Sequence, residues 1–209
     1  MASMFDIPAD PKKIRARIRD YERKFQRELE EHGNGYGDGA GKRYFLGPLY
    51  MLVGDLDGAL KSFRWFDETY PEDSGEPGHC LCWTLALRRA DNNDAAMRKL
   101  RQTMLMNLYL IPRLLGREVR KLDIWEGSSD GWPSYVDEIP PAFYALWTYA
   151  EKAWAAGLYD WAEFTEVRER YVLIHRCLKD MSPSGERKRL CEESFEMVYG
   201  KKPRDFKLS

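Results

Sequence analysis

His79, Cys80 and Cys82, with His175 and Cys177 far downstream, are of residue types that suit a metal. Zinc requires thiolates or imidazoles that converge on one point in a roughly tetrahedral set. On a helix, two positions two residues apart point about 200° away from each other, so Cys80 and Cys82 do not share an ion. His79 and Cys82 fall on one face, which makes half a site. A cysteine in an apolar segment otherwise packs as a small hydrophobe. The spacing therefore predicts core packing here and no metal.

Gly33-Asn34-Gly35-Tyr36-Gly37-Asp38-Gly39-Ala40-Gly41-Lys42 is the second stretch with chemical potential, because clustered glycines expose backbone N–H groups and a lysine adds charge. A phosphate loop needs a glycine, four residues, then Gly-Lys followed by Ser or Thr. Tyr36 stands where the first glycine belongs, Arg43 replaces the hydroxyl residue, and no strand precedes the segment. The stretch reads as a flexible linker between helices. An enzyme or nucleotide-binding protein using residues 33–42 is the alternative it leaves. Nucleophilic catalysis has no support, since His32, His79 and His175 lie in unrelated contexts without a glycine-flanked serine or a cysteine signature. No catalytic residue and no cofactor is expected.

Lys12, Lys13, Arg15, Arg17, Arg19, Arg23, Lys24 and Arg27 crowd the N-terminal segment, and Arg117-Glu118-Val119-Arg120-Lys121 forms a smaller cluster. Asp20, Glu22, Glu28, Glu30 and Glu31 interleave with the first group, the pattern of an exposed helix laced with intrahelical pairs. Nucleic-acid binding through this basic helix is the second alternative. Over the whole chain 33 Lys and Arg meet 34 Asp and Glu, so no global field favours nucleic acid or an anionic membrane. The most apolar run, Met104 to Ile111, is too short to span a bilayer, and the N-terminus lacks a basic-then-apolar leader. The four cysteines read as reduced thiols of a cytoplasmic protein.

The elements that must position these residues are all helices, because apolar residues recur at three and four and no segment alternates over strand length. Residues 10–31 form an N-terminal helix with the stripe Ile14, Ile18, Tyr21, Phe25 and Leu29, capped by Asp10 with Pro11 in its first turn. Helices follow over Lys42–Val53 and Leu56–Tyr70, then Gly78–Arg89 and Asp94–Asn107. An irregular loop spans 117–141. A third pair is expected over 142–181, as Ala142–Ala156 and Tyr159–Met181 with a turn at Gly157-Leu158. A last helix covers 184–200 and stops at Gly200.

Leu46, Gly47, Tyr50, Gly54, Ala59, Phe63 and Pro71 fall at the spacings of a tetratricopeptide repeat. Trp83, Leu87, Ala96 and Leu100 reproduce part of the pattern, with nine residues from Leu87 to Ala96 as from Tyr50 to Ala59. Ala153 to Ala162 repeats that step in the third pair, whose second helix carries Glu166 where Phe63 and Leu100 stood. The chain thus resembles a divergent member of the tetratricopeptide-like helical superfamily. The best repeat is 42–71 and the second is 78–107. Two departures stand out: Pro48 lies inside the first helix of the best repeat, and Phe66 sits where the family usually has alanine. Tyr44, Pro48 and Cys82 occupy the places where carboxylate-binding members carry Lys, Asn and Arg, so that ligand is not implied.

The resemblance implies an all-α fold of antiparallel helix pairs stacked in a short right-handed array, within one domain over 1–209 and with 184–200 as a C-terminal cap. It implies a non-catalytic protein–protein interaction module, an adaptor, chaperone-like or regulatory protein that holds a peptide or helix in a concave groove. Self-association through an exposed repeat face is a further expectation; a membrane partner is not. The family's first helices line the concave side, which nominates Lys42, Arg43, Tyr44 and His79. Trp125 and Trp132 join them from the loop, where an aromatic either anchors a partner or pins the loop to the core.

Overall fold

Asp10 opens the first helix by accepting a hydrogen bond from the Lys12 backbone N–H at 2.8 Å, and Gly33 closes it in the left-handed conformation with its N–H on Leu29 O at 2.9 Å. Between them lies α1 (Pro11–His32). The computed structural model describes residues 7–33 and 41–200, and among these every regular element is helical. After α1 come α2 (Arg43–Leu52), α3 (Leu56–Thr69), α4 (Pro77–Arg89), α5 (Asn93–Met106) and the short α6 (Leu110–Leu114). They continue with a 3-10 turn (Ser129–Gly131), α7 (Tyr135–Glu138), α8 (Pro141–Ala145), α9 (Tyr149–Asp160), α10 (Ala162–Lys179) and α11 (Gly185–Tyr199). None of these helices is long and apolar enough to cross a membrane. The linker proper, residues 34–40, lies outside the described residues.

The described residues gather into two compact units. Unit 1 runs to Lys99 and adds Glu138–Thr148. Its centre is α2, which packs on α1, α3 and α4. The α2–α3 crossing is close because two glycines admit two rings. A Cβ on Gly47 would lie 2.4 Å from Phe63 Cε1, and one on Gly58 would lie 2.5 Å from Tyr50 Cδ1. Each helix thus receives an aromatic ring from the other where it has no side chain. Gly54, with φ of 74°, makes the turn between them, and Asp55 caps α3 through Gly58 N at 2.8 Å. α8 packs on α2 and α4, with Phe143 against Phe45 and the Leu146 carbonyl accepting from Arg89 at 2.7 Å.

Unit 2 comprises Leu100–Asp137 and the residues from Tyr149 onward, with α10 packed on both α9 and α11. Ile174, Leu178, Leu190 and Cys191 form a buried cluster between α10 and α11, and Ser184 caps α11. The third pair differs from its sequence reading. The expected helix over Ala142–Ala156 breaks at Leu146–Thr148, because Phe143 and Trp147 are buried in unit 1 while Ala155 is buried in unit 2. The apolar period runs across this break unaltered, since each side is amphipathic toward its own core. Gly157 is helical; the turn comes at Trp161, whose N–H bonds Leu158 O at 3.1 Å before α10 starts.

The stretch read as an irregular loop, 117–141, is irregular and tied down. Tyr109 Oη accepts from Leu122 N at 3.0 Å, and Asn107 Nδ2 donates to the carbonyls of Asp130 and Trp132 at 2.6 and 3.1 Å. Trp125 and His175 exchange two hydrogen bonds, Trp125 N to His175 O at 2.9 Å and His175 Nδ1 to Trp125 O at 2.6 Å.

Candidate functional site

Pro48 sits inside α2 and removes the N–H that would bond the carbonyl four residues back, that of Tyr44. His79 of α4 supplies the replacement: its Nδ1 lies 2.9 Å from Tyr44 O. A carbonyl only accepts, so Nδ1 carries the proton and Nε2 is bare. Nε2 is buried without a hydrogen-bond partner among the described residues, and His79 is 2% exposed. The rings of Phe66, Phe63, Trp83 and Tyr44 surround the imidazole at centroid distances of 4.7, 5.0, 5.8 and 5.9 Å. Burial holds the His79 pKa down, at about 4, so the ring is neutral at physiological pH. The departure at Phe66 has a use here, since its ring forms one wall of this enclosure.

Arg43 and Tyr44 are likewise turned to internal work. Arg43 Nε meets Asp73 Oδ2 at 2.8 Å, its Nη2 donates to Tyr44 Oη at 3.0 Å, and Tyr44 Oη donates to Asp73 Oδ2 at 2.8 Å. The guanidinium also covers the rings of Tyr44 and Tyr70. Burial, with the Asp73 carboxylate as acceptor and negative neighbour, raises the Tyr44 pKa well above the ordinary phenol range. This arrangement latches the start of α2 to the turn before α4. Lys42 is half-buried at the N-cap position of α2, without a capping bond from its side chain. Cys80 and Cys82 are fully buried, and burial pushes their thiols up, Cys80 to about 11. Among the described residues no three His, Cys, Asp or Glu side chains gather as metal ligands.

The loop tryptophans divide. Trp125 is half-buried and stacked on His175 with centroids 5.6 Å apart, and the Arg187 guanidinium lies 5.2 Å from its ring centroid. It pins the loop. Trp132 has its backbone held by Asn107 while half of it remains exposed (50%).

No protein-family model, curated protein or solved structure matches this chain.

The open feature of unit 1 lies elsewhere, between α1 and α3. Both helices pack toward α2, and the gap between them holds about 480 Å³. Leu46 and Tyr50 of α2 contribute its floor; Phe25 and Leu29 of α1 and Trp65 of α3 contribute its walls. Glu22, Gln26 and Lys61 stand at the rim. Tyr50 Oη donates to Glu22 Oε1 at 2.5 Å, and the Phe25 and Trp65 rings stack 5.1 Å apart, so the walls are joined across the gap. Leu29 and Trp65 are half-buried, while Ile14, Ile18, Tyr21 and Phe25 of the same α1 stripe are buried. The stripe was legible in the sequence; that its last turn faces a groove was not. Of the basic residues on α1, Arg23 and Lys24 pair with Asp20.

Proposed function

We propose that this chain is a non-catalytic protein-binding module of tetratricopeptide-like build, a cytoplasmic adaptor or regulatory protein that seats an amphipathic peptide or helix in the α1–α3 groove. The observation that carries the reading is the groove itself: an aromatic and aliphatic lining with a polar, charged rim. That is the composition by which helical grooves take apolar anchors spaced three and four residues apart. The inward commitment of Arg43, Tyr44 and His79 moves the proposed contact from the expected first-helix face to Leu29, Leu46 and Trp65. In unit 2, Trp132 is the residue proposed for contact, as a half-exposed aromatic whose backbone carbonyl is held by Asn107.

The test is selection of displayed helical peptides against the full chain, repeated with Leu29→Asp. Enriched peptides should share apolar residues at i, i+3 or i+4, and i+7, and should lose at least tenfold in affinity for the variant. Peptides without that pattern, or equal affinity for the two proteins, would refute the groove. A concentration-dependent dimer that Leu29→Asp dissolves would make the seated helix that of a second copy.

A further inference from the structure

Unit 2 contains a second cleft, also of about 480 Å³, that the groove in unit 1 does not involve. Its apolar walls are Leu108, Val119, Leu122 and Val172, and the Tyr159 ring completes them. Val119 and Leu122 belong to the tied loop. That loop is held by ion pairs before Val119 and after Leu122 in the chain, Arg117 on Asp160 through two bonds of 2.6 and 2.7 Å, and Asp123 on Lys179. Two carboxylates in the neighbourhood are thereby neutralised.

The charged residues that line the cleft come from α10. Arg168, Val172 and Arg176 are spaced by four and share one face, so two guanidinium groups flank an aliphatic side chain. Arg168 is held in place. Its Nη1 donates to Tyr159 O at 2.9 Å, its Cζ lies 4.0 Å from the Tyr159 ring centroid, and Nη2 reaches Thr165 Oγ1 at 3.4 Å. A guanidinium has five N–H donors, so Nε and the second Nη2 hydrogen stay available. Arg176 makes no hydrogen bond or ion pair among the described residues, and its charge acts on Asp123 alongside that of Lys179. Glu169 is the single acid lining the cleft.

From this we infer that the cleft binds a small amphiphilic carboxylate, its head on Arg176 and Arg168 and its apolar body between the loop and Val172. A guanidinium matches a carboxylate in planar, two-bond geometry; a neutral head forgoes the charge, and a cationic head meets two guanidinium groups against the single carboxylate of Glu169. The volume lies at the lower end of small-molecule sites and suits a medium-chain acid.

Decanoate, titrated calorimetrically into the full chain below its micelle concentration, should bind one to one. Decanol, decylammonium, acetate and inorganic phosphate should bind at least tenfold more weakly, since each lacks the head or the body. Arg176→Gln should lose about tenfold or more, the scale of a charged hydrogen bond, with unchanged circular dichroism. Arg120→Gln, on the tied loop between Val119 and Leu122 but not lining the cleft, should bind as the parent does. Methyl resonances of Val119, Leu122 and Val172 should shift on binding. The inference is overturned by no binding up to about 10 mM, by decanol or phosphate binding as tightly as decanoate, or by equal losses in Arg176→Gln and Arg120→Gln. It is equally overturned if the shifts fall on Leu29 and Leu46 instead.

Discussion

His79 and Pro48 illustrate how one residue explains another. A proline within a helix leaves a carbonyl without its ladder partner, and a buried orphan of this kind costs about 1–3 kcal/mol. His79 donates to that carbonyl from another helix. His79→Leu should therefore destabilise unit 1 by about that amount. Pro48→Ala, which restores the backbone donor, should recover part of the loss, and denaturant unfolding of the two single variants and the double variant measures the coupling. The same histidine makes stability depend on pH. Its folded pKa, about 4, lies below the unfolded value of 6.5, so the unfolded chain binds the proton first. Stability is full above about pH 6.5 and falls as pH drops toward 4, by roughly 3 kcal/mol on the linkage relation. Burial shifts His175 in the same direction. His79→Leu should flatten the unfolding midpoint between pH 6.5 and 4 more than His175→Leu does; identical slopes in the parent and in His79→Leu would contradict the assignment. In the sequence His79 read as a concave-face residue, since nothing local marks it as the donor for a carbonyl 35 residues earlier.

At the scale of elements, glycines at similar helical positions have opposite consequences. Gly47 is a contact, because a Cβ there would meet the Phe63 ring at 2.4 Å. Gly47→Ala should lower stability by about 1–3 kcal/mol through overpacking. Gly157 lies in α9 with nothing within 4 Å of where its Cβ would be. Gly157→Ala should raise stability by up to about 1 kcal/mol through helix propensity. Thermal unfolding of both variants checks the contrast, and a stabilised Gly47→Ala would refute the close α2–α3 crossing. Helices α1 to α5 lie within a few residues of where periodicity and caps place them, because Asp10, Gly33, Gly54 and Asp55 act through neighbours in the chain. The break at Leu146–Thr148 escaped the same reading. Its flanks keep one apolar period while serving two cores, and Gly157 suggested a turn that the helix absorbs. The tied loop also escaped it, since its holding points, Asn107, Tyr109 and His175, are spread along the chain. Asn107→Ala should speed amide exchange around Trp132 by removing both holding bonds, with exchange in α3 unchanged.

For the molecule as a whole, the question is which apolar surfaces are covered. Ile18 and Leu29 belong to one stripe on α1, yet Ile18 is buried in unit 1 and Leu29 lies half open on the groove. Ile18→Asp should abolish cooperative unfolding of unit 1, since an unpaired carboxylate in an apolar core costs several kcal/mol. Leu29→Asp should cost about 1 kcal/mol or less, as a partly exposed site does, while removing peptide binding. If Leu29→Asp proved as damaging as Ile18→Asp, the groove would be core and the proposed contact would fail. What the sequence by itself determined is the helical character, the caps and turns, the near balance of charge and the lack of a phosphate-loop order, because each depends on residues within one or two turns of each other. Only the tertiary structure decided that Arg43, Tyr44 and His79 face inward, that Trp125 is a pin and Trp132 is not, and that grooves open beside Leu29 and Arg176. A stripe has the same period whether another helix covers it or solvent does, and a polar group's partner is chosen by proximity in space, which spacing along the chain does not encode.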